Sequence, residues 1–90
     1  MEQTLVTLYG RPGCDLCAET EALVRALIAR DGTNRALSVV NIESDPALHA
    51  QLLEVIPVLE VAGRRLPLAL SPMQIAAHLN IATSQVDGER

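Results

Sequence analysis

The sequence has no tryptophan, no phenylalanine and no lysine, and a single tyrosine, Tyr9. Without lysine there is no side-chain amine for Schiff-base chemistry. With one aromatic residue, the core has to be assembled from Leu, Val, Ile and Ala. No run of 18 apolar residues occurs, so no membrane span is expected. Met1-Glu2-Gln3 opens without the basic and apolar regions of a secretory signal. Positive charge is scarce as well: seven basic residues, all Arg, face eleven acidic ones, for a net charge of −4 and a pI near 4.9. That balance argues against nucleic acid or an anionic membrane as partner. Nothing in the chain reads as a phosphate loop, a serine triad or a paired-carboxylate site.

What is present is 90 residues, 49% hydrophobic and 20% charged, the composition of one small folded domain. That domain is expected over residues 1–82, with a polar tail at 83–90. Thr4 to Tyr9 reads as a strand, apolar at Leu5, Val6 and Leu8 and so expected to be covered on both faces. Gly10, Pro12 and Gly13 make a turn. A helix from about Cys14 to Ala29 follows, with Leu16, Leu23, Val24, Leu27 and Ile28 at helical spacing. Glu21 and Arg25 stand at i,i+4, and Gly32 reads as a left-handed cap. Leu37 to Ile42 is a second strand, β-branched at Val39 and Val40. Asp45-Pro46 and Ser71-Pro72 each pair an N-cap with a first-turn proline, opening helices over Pro46 to Leu53 and Pro72 to Leu79. Between them lie Ile56-Pro57, a strand at Val58 to Val61, a tight turn at Ala62-Gly63 and a strand near Arg65 to Leu68. The order is β-α-β-α-β-β-α. A crossover helix makes a parallel pair and the hairpin an antiparallel one, which predicts an α/β fold: a four-stranded mixed sheet with helices on both faces.

The chemistry concentrates at Tyr9-Gly10-Arg11-Pro12-Gly13-Cys14-Asp15-Leu16-Cys17, which holds both cysteines of the chain. Cys14 falls at a helix N-terminus and Cys17 one turn further along the same face. First-turn N–H groups lack intrahelical partners and carry partial positive charge. They stabilise a thiolate at Cys14, and the thiolate is the nucleophilic form. Cys17 is then in reach to attack a mixed disulfide formed on Cys14. Asp15 opposes thiolate formation and Arg11 offsets it, leaving an expected Cys14 pKa modestly below the free-thiol value of about 8.5. Free cysteine also serves as an inert, buried small hydrophobe, but the turn and helix start ahead of Cys14 favour the nucleophile. Two thiolates make half a tetrahedral metal site, and His49 and His78 fall on different helices, so no metal is expected. A pair this close is a poor structural staple, and a cytoplasmic setting fits it.

These residues resemble the glutaredoxin-like branch of the thioredoxin superfamily. Leu8 to Cys17 is similar to that group's opening strand, turn and C-x-x-C. Ile56-Pro57-Val58-Leu59 is similar to its second landmark, a cis-proline entering the third strand, and the likeness spans roughly residues 4 to 80. The resemblance implies the thioredoxin/glutaredoxin fold and a thiol–disulfide oxidoreductase in which Cys14 attacks and Cys17 resolves. It implies no bound cofactor, a protein or small-molecule disulfide as substrate, and a monomer. It also implies substrate contacts at Arg11, at Ile56, whose backbone would pair with an extended segment, and at Pro57, which keeps a metal-binding side chain out of that place.

Glutathione is implied as reductant, but here the sequence departs from the pattern. Standard glutaredoxins hold its γ-glutamyl end with Gly-Gly and an acidic helix start. Aligned from Pro57, those places are Pro67-Leu68 and a later cap at Ser71. Proline removes a donor and leucine adds bulk, leaving Arg11, the Ile56 backbone and the N-terminus of the last helix as anion contacts. Two other readings stay open on the same scaffold. One is a non-catalytic binding module using the Ile56–Pro57 groove; the other is a redox sensor whose disulfide state alters partner affinity.

Overall fold

In the computed structural model, which describes residues 4–32 and 34–81, helical and extended segments alternate in the expected order. They are β1 (Thr4–Gly10), α1 (Asp15–Asp31), β2 (Arg35–Asn41), α2 (Pro46–Leu52), β3 (Val58–Val61), β4 (Arg64–Leu66) and α3 (Pro72–Leu79). The tail expected at 83–90 lies outside the described residues. The sheet runs β2-β1-β3-β4, with β1 parallel to β2 and β3 antiparallel to both β1 and β4.

Local chemistry sets the helix ends. The Asp45 carboxylate accepts the Ala47 N–H at 2.9 Å and the Ser71 hydroxyl accepts the Gln74 N–H at 3.3 Å, each just ahead of a first-turn proline. α1 closes on Gly32, whose φ of 73° is open to glycine without a Cβ clash. Glu21 and Arg25 form the expected ion pair on its surface, at 2.9 Å.

Strand alternation then divides the core. Val6 and Leu8 of β1 share a face with Leu59 and Val61 of β3, and these pack against Val24 and Leu27 of α1 and Ile75, Ala76 and Leu79 of α3. Tyr9 and Val58 point the other way, onto Leu48 and Leu52 of α2 and onto Ile42. The helices thus cover both faces, α1 and α3 on one and α2 on the other. On that second face, Tyr9 also donates its hydroxyl to Glu60 Oε1 at 3.1 Å, and Arg65 donates Nε–H to the same oxygen at 2.9 Å. The Arg65 bond is the main reason the Glu60 carboxyl is held below its ordinary range, and in return it raises Arg65. The guanidinium lies 5.2 Å from the Tyr9 ring centroid.

Four expectations need correction. Leu5 is 59% exposed, so β1 is not covered on both faces along its length. The reason is reach: seven helical residues extend about 10 Å, whereas the seven residues of β1 extend about 23 Å. α2 therefore covers the Tyr9 end and leaves Leu5 bare. Leu16 is likewise half exposed, outside the buried stripe of Cys17, Thr20, Val24 and Leu27. The second strand is shifted toward the N-terminus, and Ile42 opens a 3₁₀ turn, Ile42–Ser44, that drives its side chain into the second core. The fourth strand ends at Leu66, because Leu68 turns into the left-handed region at φ 50° and donates its N–H to Val55 O instead.

Candidate active site around the two cysteines

The turn that leaves β1 sets the geometry of the sulfurs. Gly13 takes φ 81°, and the Cys14 N–H bonds back to Arg11 O at 3.3 Å, which delivers Cys14 to the N-cap of α1 in extended conformation. An N-cap normally offers a side-chain oxygen to the exposed N–H groups. Here the acceptor is sulfur: Cys14 Sγ takes the Cys17 N–H at 3.1 Å. The electrostatic stabilisation expected from the helix end is therefore directed at the Cys14 sulfur. Cys14 and Cys17 are joined as a disulfide, with Cα atoms 5.2 Å apart. Cys17 is only 7% exposed while Cys14 is partly open, so an incoming molecule meets Cys14 first.

Arg11, Cys14 and Cys17 line one cleft of about 360 Å³. Ile56 and Pro57 do not line it; they precede β3, which pairs with β1 on the edge opposite β2. Their peptide bond is cis. The Ala69 N–H donates to Pro57 O at 2.8 Å, and the buried Thr20 hydroxyl donates to Ala69 O at 2.7 Å. Thr20 lies one turn after Cys17, so these two bonds tether the Pro57 segment to the cysteine helix. The N–H and C=O of Ile56 make no backbone hydrogen bond to a described residue. At the place of the glutaredoxin Gly-Gly, Leu68 holds the left-handed backbone that glycine favours and leaves its side chain half exposed. The histidines stay apart from this chemistry: His78 bonds through Nε2 to Arg64 O at 2.9 Å. Among the described residues, no cluster of three or more metal-ligating side chains occurs.

Thr20 was not singled out from sequence, and Gly10, expected in the turn, is instead the last residue of β1. Among the described residues Thr20 is the one buried polar side chain, and its place on the Cys17–Val24–Leu27 stripe is a signal that helical spacing carries. The sequence reading of Gly10 as a turn residue did not extend to its packing against Cys17. A Cβ there would lie 3.1 Å from both Cys17 Cβ and Cys17 Sγ, so the absent side chain makes room for the Cys17 sulfur. Its backbone φ is not positive, so the requirement is space alone. Gly10→Ala is expected to lower stability by about 1–3 kcal/mol, the ordinary cost of overpacking. Urea unfolding of the oxidised protein checks this; an unchanged midpoint would mean the two atoms separate freely.

A mixed four-stranded sheet with a C-x-x-C at the first helix start defines a thioredoxin-like protein. The sequence matches the glutaredoxin-like domain (DUF836) over residues 5–90, and the chain belongs to that family. An X-ray structure of protein XcR50 from X. campestris is 30% identical, with a TM-score of 0.69 over 87% of this chain and 99% of that one. The solution structure of Ne2328 from Nitrosomonas europaea is 26% identical, with a TM-score of 0.68 over 89% and 91% of the respective chains. A malarial protein at 16% identity and a TM-score of 0.59, over 88% of this chain and 96% of that one, shares the fold. No curated protein matches the sequence.

Proposed function

We propose that this glutaredoxin-like domain is a thiol–disulfide oxidoreductase. The observation that carries the reading is the Cys14 sulfur at the N-cap of α1, accepting a helix N–H and bonded to Cys17. In the reduced form the Cys14 thiolate attacks one sulfur of a substrate disulfide, and the other leaves as a thiolate and takes up a proton. The Cys17 thiol gives up its proton and attacks Cys14 Sγ, which expels the second reduced half and closes the Cys14–Cys17 bridge. Two electrons pass to the substrate, and an external thiol returns them. Arg11 supplies a cation beside the sulfurs. The N–H and C=O of Ile56, which make no backbone hydrogen bond to a described residue, pair with an extended segment as an added strand against Pro57.

The surroundings favour a protein disulfide as substrate. Leu16 on the first turn of α1, Leu68 and Leu70 on either side of Ala69, and Met73 on α3 are all exposed apolar side chains. The same residues support the binding-module reading, in which the groove holds a partner without turnover. No helix of the described residues is long and apolar enough to cross a membrane; a cytoplasmic setting and a monomeric state belong to the same proposal. The test is a steady-state disulfide-reductase assay with glutathione or thioredoxin reductase as electron source. Turnover with either supports the enzyme. Binding of a partner with no turnover from either source would sink it in favour of the module.

A further inference from the structure

We propose that Thr20 is a positioning residue that holds the substrate-pairing backbone of Ile56 in place against the Cys14 sulfur. This rests on the oxidoreductase reading above and names the group that aligns an extended protein substrate for attack.

Thr20 is at odds with its surroundings. It sits inside α1 on the buried stripe of Cys17, Val24 and Leu27, where an apolar side chain would avoid the cost of burying a hydroxyl. A threonine within a helix commonly turns its hydroxyl back to a carbonyl of the preceding turn. Here the single O–H leaves its own helix and donates to Ala69 O at 2.7 Å, across 49 positions of chain.

Ala69 is where the two walls of the site are joined. It is fully buried between the end of β4 and the start of α3, and its methyl group offers no polar handle. Its backbone is fixed by two bonds instead: the N–H donates to Pro57 O at 2.8 Å, and the C=O accepts from Thr20. One residue earlier, the Leu68 N–H donates to Val55 O, also at 2.8 Å. Residues 68 and 69 thus grip the chain on both sides of Ile56, whose own N–H and C=O make no backbone hydrogen bond to a described residue. Those two groups are the ones an extended substrate pairs with. Thr20 lies one turn after Cys17, so its hydroxyl sets the spacing between the cysteine helix and the segment that carries Ile56. Strand addition has to place the substrate disulfide in line with Cys14 Sγ, and a shift of about 1 Å in one wall is enough to spoil such an alignment.

The experiment follows single-turnover oxidation of the reduced protein by two disulfides, read by acid quench, alkylation and intact mass. One is 2-hydroxyethyl disulfide, which has no backbone to pair with Ile56. The other is a short extended peptide of Val and Thr around one Cys, in mixed disulfide with 2-mercaptoethanol. In each case the substrate S–S bond breaks, two thiols leave with the two electrons and two protons of the protein dithiol, and the Cys14–Cys17 bridge closes. Each rate is divided by that of free 2-mercaptoethanol with the same disulfide, which removes intrinsic reactivity. Wild type is expected to prefer the peptide. Thr20→Val keeps the shape and removes the hydroxyl, and is expected to cut the peptide-to-small ratio by about fivefold, the scale of one hydrogen bond, with the small-disulfide rate unchanged. Thr20→Ala, which opens room for water at Ala69 O, gives the same loss and serves where the valine variant does not fold. Thr20→Ser keeps the hydroxyl and retains the wild-type ratio. A merely structural Thr20 would lower the thermal midpoint and leave the ratio alone, so a ratio unchanged in both hydroxyl-free variants overturns the proposal. Equal losses on both disulfides overturn it too, as does a serine variant that behaves like valine. A wild-type ratio at or below one overturns the pairing at Ile56, and Thr20's role with it, but leaves the oxidoreductase standing. Failure of both disulfides to oxidise the wild type overturns the oxidoreductase reading itself.

Discussion

Cys14→Ser is expected to abolish disulfide reduction, and Cys17→Ser to stop it after one half-reaction with the substrate held on Cys14. The two cysteines are unequal in position. Cys14 is partly exposed and accepts the helix N–H, whereas Cys17 is 7% exposed and packed against Gly10. An alcohol at residue 14 has no accessible anion near neutral pH and does not attack disulfides, so the loss should reach the uncatalysed rate. With serine at residue 17 the first attack proceeds and no second sulfur displaces the bound half. Intact mass of the Cys17→Ser protein after exposure to a disulfide should show one adduct, released by dithiothreitol. Adducts forming equally on the Cys14→Ser protein would reverse the assignment of nucleophile and resolving thiol.

The largest effect on stability is expected at Leu59→Ala. Leu59 is fully buried in β3, paired with Leu8 across the ladder and packed between the strands and the α1–α3 layer. Removing a buried leucine side chain costs about 2–5 kcal/mol, through lost transfer energy and the cavity left behind. A small domain has only about 5–15 kcal/mol in total. At about 4–8 °C per kcal/mol for a domain of this size, the thermal midpoint should fall by about 10 °C or more. Leu5→Ala, in the neighbouring strand but 59% exposed, should change stability by no more than about 0.5 kcal/mol. Parallel thermal and urea melts of the two variants separate these cases. Equal losses would mean that burial, not residue type, has been misassigned along β1 and β3.

Much of the architecture was legible because the signals lie within a few residues of the structures they specify. Asp45-Pro46 and Ser71-Pro72 cap helices with their own side chains, and Ala62-Gly63 supplies the positive φ values its turn requires. The turn at Pro12-Gly13 puts the Cys14 sulfur at the N-cap, and the spacing puts Cys17 within one helical turn of it. The third strand and the third helix accordingly fall on the residues expected. Where the reading strayed, the missing information was the length and place of a neighbouring element. Leu5 and Leu16 look like core residues, and only the short reach of α2 and the azimuth of α1 leave them in solvent.

By itself, then, the sequence determined which segments are helical or extended, in what order, and which sulfur stands at a helix start. Caps, turns and i,i+4 contacts are decided by residues adjacent in the chain. Only the tertiary structure decided that Thr20 bonds to Ala69, 49 residues away, that Cys17 needs the missing side chain of Gly10, and that Val39 is left uncovered beside the disulfide. Each of these depends on what lies across a packed interface, and burial is a property of two surfaces that no single stretch of sequence contains.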